Sequence, residues 1–301
     1  MDVAKLRGSY PPLITPLRNG ALDEAAYANL VERQIAGGSH GIVVNGTTAE
    51  PSTLTLEERE QLLDIALATA RGRIPVIAAT GSQSLAETLR LTRHAHTAGA
   101  DALLVVTPYY VRPPQRGLVA YYREVAQVSD KPLLLYHIPG RTAVAVTVDT
   151  LESIRAAVPS FIGMKHAVND LGFVTHALSR LGHDFRIFVG LEDLSFPMLA
   201  IGACGLMNAV GNLAPERVAA MCELVDANDL SGARAIHYAL AELNDAVFFD
   251  TNPIPIKYMM KRLGYLPANE HRLPMVPATA ELERRLDAVL ERTGLMTVGV
   301  V

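Results

Sequence analysis

The 301-residue sequence has little cysteine, no tryptophan and no surplus of positive charge. Its two cysteines, Cys204 and Cys222, are too few for a disulfide framework or a four-thiolate metal site, which fits a reducing compartment. The formal net charge of -4 leaves no basic excess to neutralise phosphates, so we expect no nucleic-acid partner. These absences exclude a disulfide-stapled secreted protein and argue against a nucleic-acid-binding one.

Long hydrophobic runs are also lacking. Ala102 to Tyr110, among the longest, falls far short of the roughly 20 residues that a transmembrane helix needs. Met1 to Tyr10 contains no apolar core of a signal peptide. Half of the residues are nevertheless apolar, enough to bury a sizeable core. We therefore predict a cytoplasmic, globular protein with no membrane partner.

Short apolar runs alternate with longer amphipathic stretches along the chain. Each run is continuous, which is typical of strands that are covered on both faces. The stretches carry helix start signals, such as the capping-box spacing of Thr55 with Glu58 and of Ser84 with Glu87. Eight such units in about 250 residues predict an α/β fold, a (β/α)8 TIM barrel; a doubly wound sheet normally has fewer units and a glycine-rich dinucleotide turn. The eight runs are 11–17, 41–47, 74–81, 102–110, 132–139, 161–167, 186–193 and 204–212.

The strand signal stops after about residue 228. Residues 230–248, 255–263 and 279–292 have helical patterns separated by prolines. The sequence therefore predicts a catalytic barrel over residues 1–227 and a C-terminal helical domain over residues 228–301.

Lys165 is the most informative residue, because it follows Phe161–Met164 inside a predicted buried strand. Barrel active sites form at the carboxyl ends of the strands. A buried ammonium is costly unless it is paired or deprotonated, and a neutral amine can form a Schiff base with a carbonyl. Pairing with a carboxylate such as Glu50 or Glu192 is the alternative, and position alone favours neither. The other lysines lie where a solvated lysine is ordinary: Lys5, Lys131, Lys257 and Lys261.

Tyrosines and threonines also fall at predicted strand ends. Schiff-base chemistry needs proton shuttles, and the phenols of Tyr109, Tyr110 and Tyr136 could serve if a hydroxyl of Thr47 or Thr48 relays the proton. Aromatic packing at the barrel mouth is the alternative interpretation.

Two features suit anionic substrates. The turn at Gly46-Thr47-Thr48 offers backbone N–H groups and hydroxyls to a carboxylate, although it fits an ordinary βα turn as well. Arg141 could bind a second carboxylate through two parallel hydrogen bonds, although alone it fits a solvated loop arginine better.

Two functions from other classes remain open at this point. A metal-dependent aldolase or hydrolase could use His137, His166 and Glu192 at neighbouring strand ends, although no H-E-x-x-H motif supports it. A non-catalytic sensor of 2-oxo acids could use the same fold.

Taken together, five segments resemble the dihydrodipicolinate synthase / N-acetylneuraminate lyase family, in the right order and over nearly the whole chain. They are NGTTAEPSTLTLEER (45–59), TPYYVRPPQRGL (107–118), YHIPGRT (136–142), GMKHA (163–167) and DTNPIPIK (250–257). The resemblance implies a (β/α)8 barrel enzyme that uses Schiff-base chemistry on pyruvate or a related 2-oxo acid. It also implies no metal, no organic cofactor, and a homotetramer built as a dimer of dimers.

The resemblance implies a catalytic role for four residues. Lys165 matches the Schiff-base lysine, and Tyr136 matches the general acid and base beside it. Thr47 and Tyr110 match its proton-relay partners. In the family, the residue that matches Tyr110 comes from a neighbouring subunit or lies against one, with Tyr109 as its companion.

The resemblance also implies residues that bind the substrates. Thr48 matches the residue that binds the pyruvate carboxylate, and Met207 matches a strand-8 residue whose backbone contacts pyruvate. Gly190 is expected in the same substrate-binding set. Arg141 matches the residue that binds the carboxylate of the incoming aldehyde.

Arg141 and the NPIPIK segment favour the synthase branch, which joins pyruvate to aspartate semialdehyde in a 4-hydroxy-tetrahydrodipicolinate synthase reaction. Ala49, His137, His166 and the VGLED sequence depart from the usual synthase pattern. The alternative is therefore a related aldolase, which cleaves 2,4-dihydroxyhept-2-ene-1,7-dioate to pyruvate and succinate semialdehyde, or another 2-oxo-acid aldolase or dehydratase of the same family. The strand-2 loop lacks the histidines of lysine-inhibited members, so we expect no inhibition by lysine.

Overall fold

Eight parallel strands form one sheet in the computed structural model, which describes residues 3–296. The strands are β1 Gly8–Ser9, β2 Ile42–Val44, β3 Val76–Ala79, β4 Ala102–Val106, β5 Leu133–His137, β6 Phe161–His166, β7 Arg186–Val189 and β8 Gly205–Leu206. Their order in the sheet is β1-β8-β7-β6-β5-β4-β3-β2. Backbone hydrogen bonds from Leu13 N to Val43 O and from Val43 N to Pro11 O, both 3.0 Å, connect the first and second strand segments and close the barrel. The predicted barrel is thus confirmed.

The first strand was predicted at 11–17 and lies earlier, at Gly8–Ser9. Pro11 and Pro12 have no N–H group, so this part of the run cannot donate hydrogen bonds to a neighbouring strand. The end of the run instead enters a two-stranded hairpin, in which Leu17–Arg18 pairs with Ala21–Leu22.

Helices follow the strands, and several begin where the sequence predicts. Thr55 and Glu58 form the complete capping box, whereas Ser84 accepts from Glu87 N while the Glu87 side chain bonds to Ser82. The helices are α1 Glu24–Ala36, α2 Leu56–Ala70, α3 Leu85–Ala98, α4 Gln115–Ala126, α5 Pro139–Thr142, α6 Val148–Ala157, α7 Leu171–Leu181, α8 Ser195–Ala200, α9 Pro215–Asp226, α10 Leu230–Ala239, α11 Ala241–Ala246, α12 Ile254–Arg262 and α13 Ala280–Arg292.

The chain after residue 228 is helical, although the helix predicted at 230–248 is divided into α10 and α11 at Leu240. Side chains of these helices, such as Leu243 and Ile256, belong to the same cluster of buried residues as Ile42 of β2. The boundary between residues 227 and 228 stays a prediction. The ends of the two predicted domains, residues 1–2 and 297–301, lie outside the described residues.

Side chains alternate along the strands between the barrel interior and the layer of helices, apart from an irregularity at the start of β6, where the pairing shifts by one residue. In β5, Leu134 and Tyr136 belong to the interior cluster, whereas Leu133 and Leu135 belong to the outer one. This alternation directs Tyr136 into the barrel at the carboxyl end of its strand. No helix within residues 3–296 is long and apolar enough to cross a membrane.

Candidate active site

Lys165 lies near the carboxyl end of β6, and its side chain is 4% exposed. The register of β5 and β6 places it opposite Tyr136, and its Nζ lies 4.4 Å from the centroid of that tyrosine ring. Among residues 3–296, no aspartate or glutamate forms an ion pair with its amine. The position is that of a buried amine at the end of the barrel where active sites form.

The Tyr136 hydroxyl connects to the loop after β2. It forms a hydrogen bond of 3.2 Å with Thr47 Oγ1, in which either oxygen can donate. Tyr136 is 5% exposed. A phenol and an alcohol that exchange one hydrogen bond can move a proton between them. Two of the four predicted catalytic residues therefore bond directly, and a third, Lys165, lies against the phenol ring.

The Thr48 side chain forms a hydrogen bond with a residue from the C-terminal part of the chain, Asn252. Thr48 Oγ1 accepts this hydrogen bond of 3.1 Å from Asn252 Nδ2. Because a hydroxyl can accept and donate at once, the Thr48 O–H stays available to an acceptor such as a carboxylate. Asn252 precedes α12, and no pattern in the sequence predicts a role for it.

Two adjoining cavities lie at this end of the barrel. The smaller, about 60 Å³, reaches Lys165, Thr48, Gly190 and Met207. A water needs roughly 10–15 Å³ by this measure, so a three-carbon acid fits. The larger, about 280 Å³, is lined in part by Tyr109. Both are lined by Thr47, Tyr136, Ile138, Arg141 and Asn252.

Arg141 lies in α5 and lines both cavities. It is exposed, and its guanidinium forms no ion pair or hydrogen bond with any other side chain within residues 3–296. A free guanidinium beside a cavity can bind a carboxylate with two parallel hydrogen bonds. The cavities thus offer Thr48 to one carboxylate and Arg141 to another.

Gly190 and Met207 also line the smaller cavity. A Cβ atom at Gly190 would come within 2.7 Å of Lys165 Cε, so the glycine makes room for the lysine side chain. Met207 is fully buried, and its backbone N–H donates to Val189 O at 2.7 Å.

Tyr110 does not join this site within one chain. Its side chain is 87% exposed, its φ is +70°, and it lines neither cavity, whereas Tyr109 lines the larger one. The predicted relay through Tyr110 is therefore not assembled by the residues of a single chain. An exposed tyrosine beside exposed Val111 is compatible with a contact from a second chain.

Glu50, one of the two carboxylates considered as partners of Lys165, is engaged elsewhere. Its Oε1 accepts from Lys257 Nζ and its Oε2 from His271 Nδ1, both at 2.9 Å. Lys257 was expected in solvent but is fully buried. The helix α12 presents it to Glu50, and its Nζ also donates to Glu270 O at 2.5 Å. The pairing predicted as an alternative for Lys165 is thus made by another lysine.

Glu192, the other carboxylate, lines the smaller cavity together with Lys165. Its Oε1 accepts from the backbone N–H groups of Ala209 and Val210, at 2.5 and 3.3 Å, and its Oε2 is buried without a partner among the described residues. Burial raises the pKa of Glu192 to about 7, although these amides and the Lys165 charge lower it. A carboxyl of this kind exchanges protons near neutral pH.

His137 and His166 contact each other on the outer side of the sheet. His137 Nε2 accepts from Val146 N at 3.1 Å, so the neutral His137 carries its proton on Nδ1 and donates to His166 Nδ1 at 3.2 Å. The His166 ring stacks on Phe173 of α7, 4.7 Å away. Burial lowers the pKa of both imidazoles to about 4.

The proposed metal set of His137, His166 and Glu192 is therefore not brought together. His166 follows Lys165 in β6 and points to the opposite face, toward the helices, whereas Glu192 lines the cavity. Within residues 3–296, no group of three or more histidine, cysteine, aspartate or glutamate side chains is arranged to hold a metal ion.

Arg59 is a cavity residue that the sequence analysis missed. It lies in the first turns of α2, is 6% exposed, and donates from Nη2 to Ala79 O at 3.1 Å. It lines the larger cavity. Its position in an amphipathic helix, next to three acidic residues, is typical of a solvated arginine, so no pattern in the sequence distinguishes it.

The fold and the site define a parallel-barrel enzyme with a buried lysine at the end of its sixth strand and a phenol–alcohol pair beside it. The chain belongs to the dihydrodipicolinate synthetase family, whose family model matches residues 5–293. This membership confirms the resemblance that the sequence motifs indicate.

Individual relatives agree with this assignment. A 4-hydroxy-tetrahydrodipicolinate synthase of Thermus thermophilus is 48% identical over 96% of this chain and 97% of its own length. The crystal structure of the Aquifex aeolicus dihydrodipicolinate synthase covers 96% of this chain and 99% of its own, with a TM-score of 0.94 and 38% identity. The chloride-inhibited Acinetobacter baumannii synthase, complexed with pyruvate, covers 97% and 100%, with a TM-score of 0.93 and 34% identity. The predicted enzyme class, a lyase of the dihydrodipicolinate synthase type, is thus confirmed.

Proposed function

We propose that this enzyme condenses pyruvate with aspartate semialdehyde to give 4-hydroxy-tetrahydrodipicolinate and water, with Lys165 as the nucleophile. The supporting observation is the Lys165 amine, which lies buried in a cavity of suitable size, 4.4 Å from the Tyr136 ring, and forms no ion pair with a carboxylate among residues 3–296. Relatives that carry the synthase name, one of them complexed with pyruvate, support the choice of substrates.

The first half of the reaction would join pyruvate to Lys165. The Nζ lone pair attacks the ketone carbon, and the carbinolamine loses water to give an imine with a C=N bond. Thr48 would hold the pyruvate carboxylate. Tyr136, exchanging protons with Thr47, would supply the proton for the departing water and remove one from the methyl carbon to form the enamine.

The second half would join the aldehyde. The enamine carbon forms a C–C bond to the aldehyde carbon, and the aldehyde oxygen takes a proton to become a hydroxyl. Arg141 would hold the aldehyde carboxylate at the cavity entrance. The product is cyclic, so the amine of the former aldehyde attacks the imine carbon and releases Lys165. Only one water is lost overall, which balances the atoms.

Three further parts of the proposal concern the molecule as a whole. We expect a cytoplasmic homotetramer, built as a dimer of dimers, in which Tyr110 of one chain meets the site of a neighbour. The exposure of Tyr110 and Val111 supports this contact. We also expect residues 1–227 to form the catalytic barrel and residues 228–301 a C-terminal helical domain.

The function is tested with purified enzyme, pyruvate and two aldehydes, aspartate semialdehyde and succinate semialdehyde. We expect a higher kcat/KM with aspartate semialdehyde. A preference for succinate semialdehyde would favour the aldolase alternative. Negligible turnover with both, despite a covalent pyruvate adduct, would contradict both enzymatic assignments. Lys165→Ala should show no turnover with either aldehyde, and Lys261→Ala, which removes an exposed lysine, is its control.

A further inference from the structure

Three buried side chains from distant parts of the chain meet next to the Thr47–Thr48 turn. Glu50 follows that turn, Lys257 lies in α12, and His271 lies in the loop between α12 and α13. The Glu50 carboxylate accepts one hydrogen bond of 2.9 Å on each oxygen, from Lys257 Nζ and from His271 Nδ1. The side chains are at most 2% exposed. We call these three residues the Glu50 cluster.

The backbone of Glu50 needs external support. Its φ is +56°, in the left-handed region that a residue with a Cβ atom adopts at a cost in free energy. It ends the 3-10 turn Thr47–Ala49 and precedes a second one, Pro51–Thr53. The contacts of its side chain therefore help to hold the left-handed backbone conformation that ends the Thr47–Ala49 turn.

The same C-terminal segment contacts the turn a second time. Asn252, just before α12, donates to Thr48 Oγ1 at 3.1 Å. Thr15 Oγ1 donates to Ala49 O at 2.8 Å from the other side. The turn that carries Thr47 and Thr48 is thus held between the first barrel segment and the C-terminal helices.

The charges of the cluster suit such a role. Burial alone would raise the pKa of Glu50, but the hydrogen bond from His271 and the charge of Lys257 lower it below its usual value. Glu50 therefore stays ionised near neutral pH, and both of its oxygens remain acceptors. A carboxylate with both oxygens engaged fixes its own orientation more tightly than an apolar contact does.

We propose that Glu50, Lys257 and His271 are positioning residues, through which the C-terminal helices hold Thr47 against Tyr136 and Thr48 toward the pyruvate carboxylate. This inference rests on the proposed function. The cluster acts through the two threonines, and its loss affects the pyruvate half of the reaction while Arg141 still binds the aldehyde.

The test uses the full-length enzyme with two substitutions. Lys257→Met removes the amine that donates to Glu50 Oε1, and His271→Leu removes the imidazole that donates to Glu50 Oε2. Arg262→Met is the matched control, because Arg262 lies on the same helix as Lys257 but pairs with Asp287 of α13 at 2.8 Å. The measurements are KM for each substrate, kcat, and the pyruvate concentration that half-saturates borohydride trapping at Lys165.

For both variants we expect the pyruvate KM and the half-saturating concentration to rise by about 10- to 100-fold, and kcat to fall, because a misplacement of about 1 Å can cost 100-fold in rate. The aldehyde KM should stay near that of the wild-type enzyme, and Arg262→Met should behave like the wild type. His271→Asn, which restores an N–H donor, should recover most of the loss.

A purely structural role predicts another result. If the variants lose active protein but the remaining fraction has an unchanged pyruvate KM, the positioning role is wrong. It is also wrong if the KM values of both substrates change equally. If Lys257→Met does not fold because Glu50 Oε1 is left buried without its donor, the comparison of His271→Leu with His271→Asn decides whether the cluster has a positioning role. Failure of the wild-type enzyme to trap pyruvate at Lys165 would instead overturn the proposed function.

Discussion

Replacing Gly190 with alanine tests how closely the barrel wall fits the Lys165 side chain. A Cβ atom at position 190 would lie 2.7 Å from Lys165 Cε and 2.9 Å from Ala167 Cβ. Carbon atoms in contact prefer about 3.5–4.0 Å, so the lysine chain must move by about 1 Å. Such a displacement of a nucleophile costs about 100-fold in rate. This corresponds to about 2.7 kcal/mol of transition-state free energy.

The stability of the variant should change less than its activity. Inserting one methyl group into a packed site costs about 1–3 kcal/mol of unfolding free energy, and a domain typically has about 5–15 kcal/mol. We therefore expect Gly190→Ala to stay folded, with kcat/KM and the rate of pyruvate trapping about 100-fold lower.

Steady-state kinetics and urea unfolding measure the two effects separately. Gly117→Ala is the matched control, because Gly117 lies in α4 and a Cβ atom there would meet no atom closer than 3.4 Å. Trapping of pyruvate by Gly190→Ala at the wild-type rate would refute the claim that the barrel wall at position 190 fits closely against the Lys165 side chain. An activity loss that merely follows the fraction of unfolded protein would refute it as well.

Three other predictions concern the site and its surroundings. Tyr136→Phe removes the hydroxyl that bonds to Thr47, so kcat should fall by about 10²–10⁴-fold while the fold is retained. A near-wild-type kcat in steady-state assays would exclude Tyr136 as the proton donor. Arg141→Ala should raise the aldehyde KM and leave pyruvate trapping unchanged, with a stability change within about 0.5 kcal/mol because the side chain is exposed; an altered pyruvate dependence would contradict this role. Burial lowers the pKa of His137 and His166 to about 4 in the folded protein, against 6.5 for the free group. The unfolded state therefore binds more protons between these values. As the pH falls from 6.5 to 4, the free energy of unfolding should decrease by on the order of 3 kcal/mol for each imidazole. Urea unfolding across this range measures the effect, and His166→Gln should reduce the slope.

The sequence predicts the parts of the site that depend on strand ends. Lys165 and Tyr136 follow continuous apolar runs, and parallel strands in a barrel end at the same face, so their proximity follows from the fold. The Thr47–Tyr136 hydrogen bond is consistent with the relay that the family resemblance implies. These features need only the order of the elements and the alternation of side chains.

Other features depend on contacts between distant segments, which no local pattern records. Lys257 has the sequence context of a solvated helix residue, yet its partner Glu50 lies 207 positions away. His271 and Glu50 are 221 positions apart. The start of β1 was misplaced because the apolar run at 11–17 satisfies the strand pattern, while Pro11 and Pro12 cannot donate.

The histidine pair shows that a position at a strand end does not by itself reveal which way a polar side chain points. Their positions at neighbouring strand ends make His137 and His166 candidate metal ligands in the sequence. Consecutive residues of a strand point to opposite faces, so His166 is directed away from the cavity that Lys165 faces. Stacking on Phe173 then accounts for its burial. Which face a strand residue occupies becomes clear only once the inward residue of the strand is known.

Borohydride reduction in the presence of pyruvate, followed by mass analysis of the digested protein, tests the central claim most directly. We expect one reduced pyruvate per chain, located on the peptide that contains Lys165, and none in Lys165→Ala, which should keep the wild-type circular dichroism spectrum. An adduct on any other lysine, or turnover by Lys165→Ala, would contradict the assignment of Lys165 as the nucleophile.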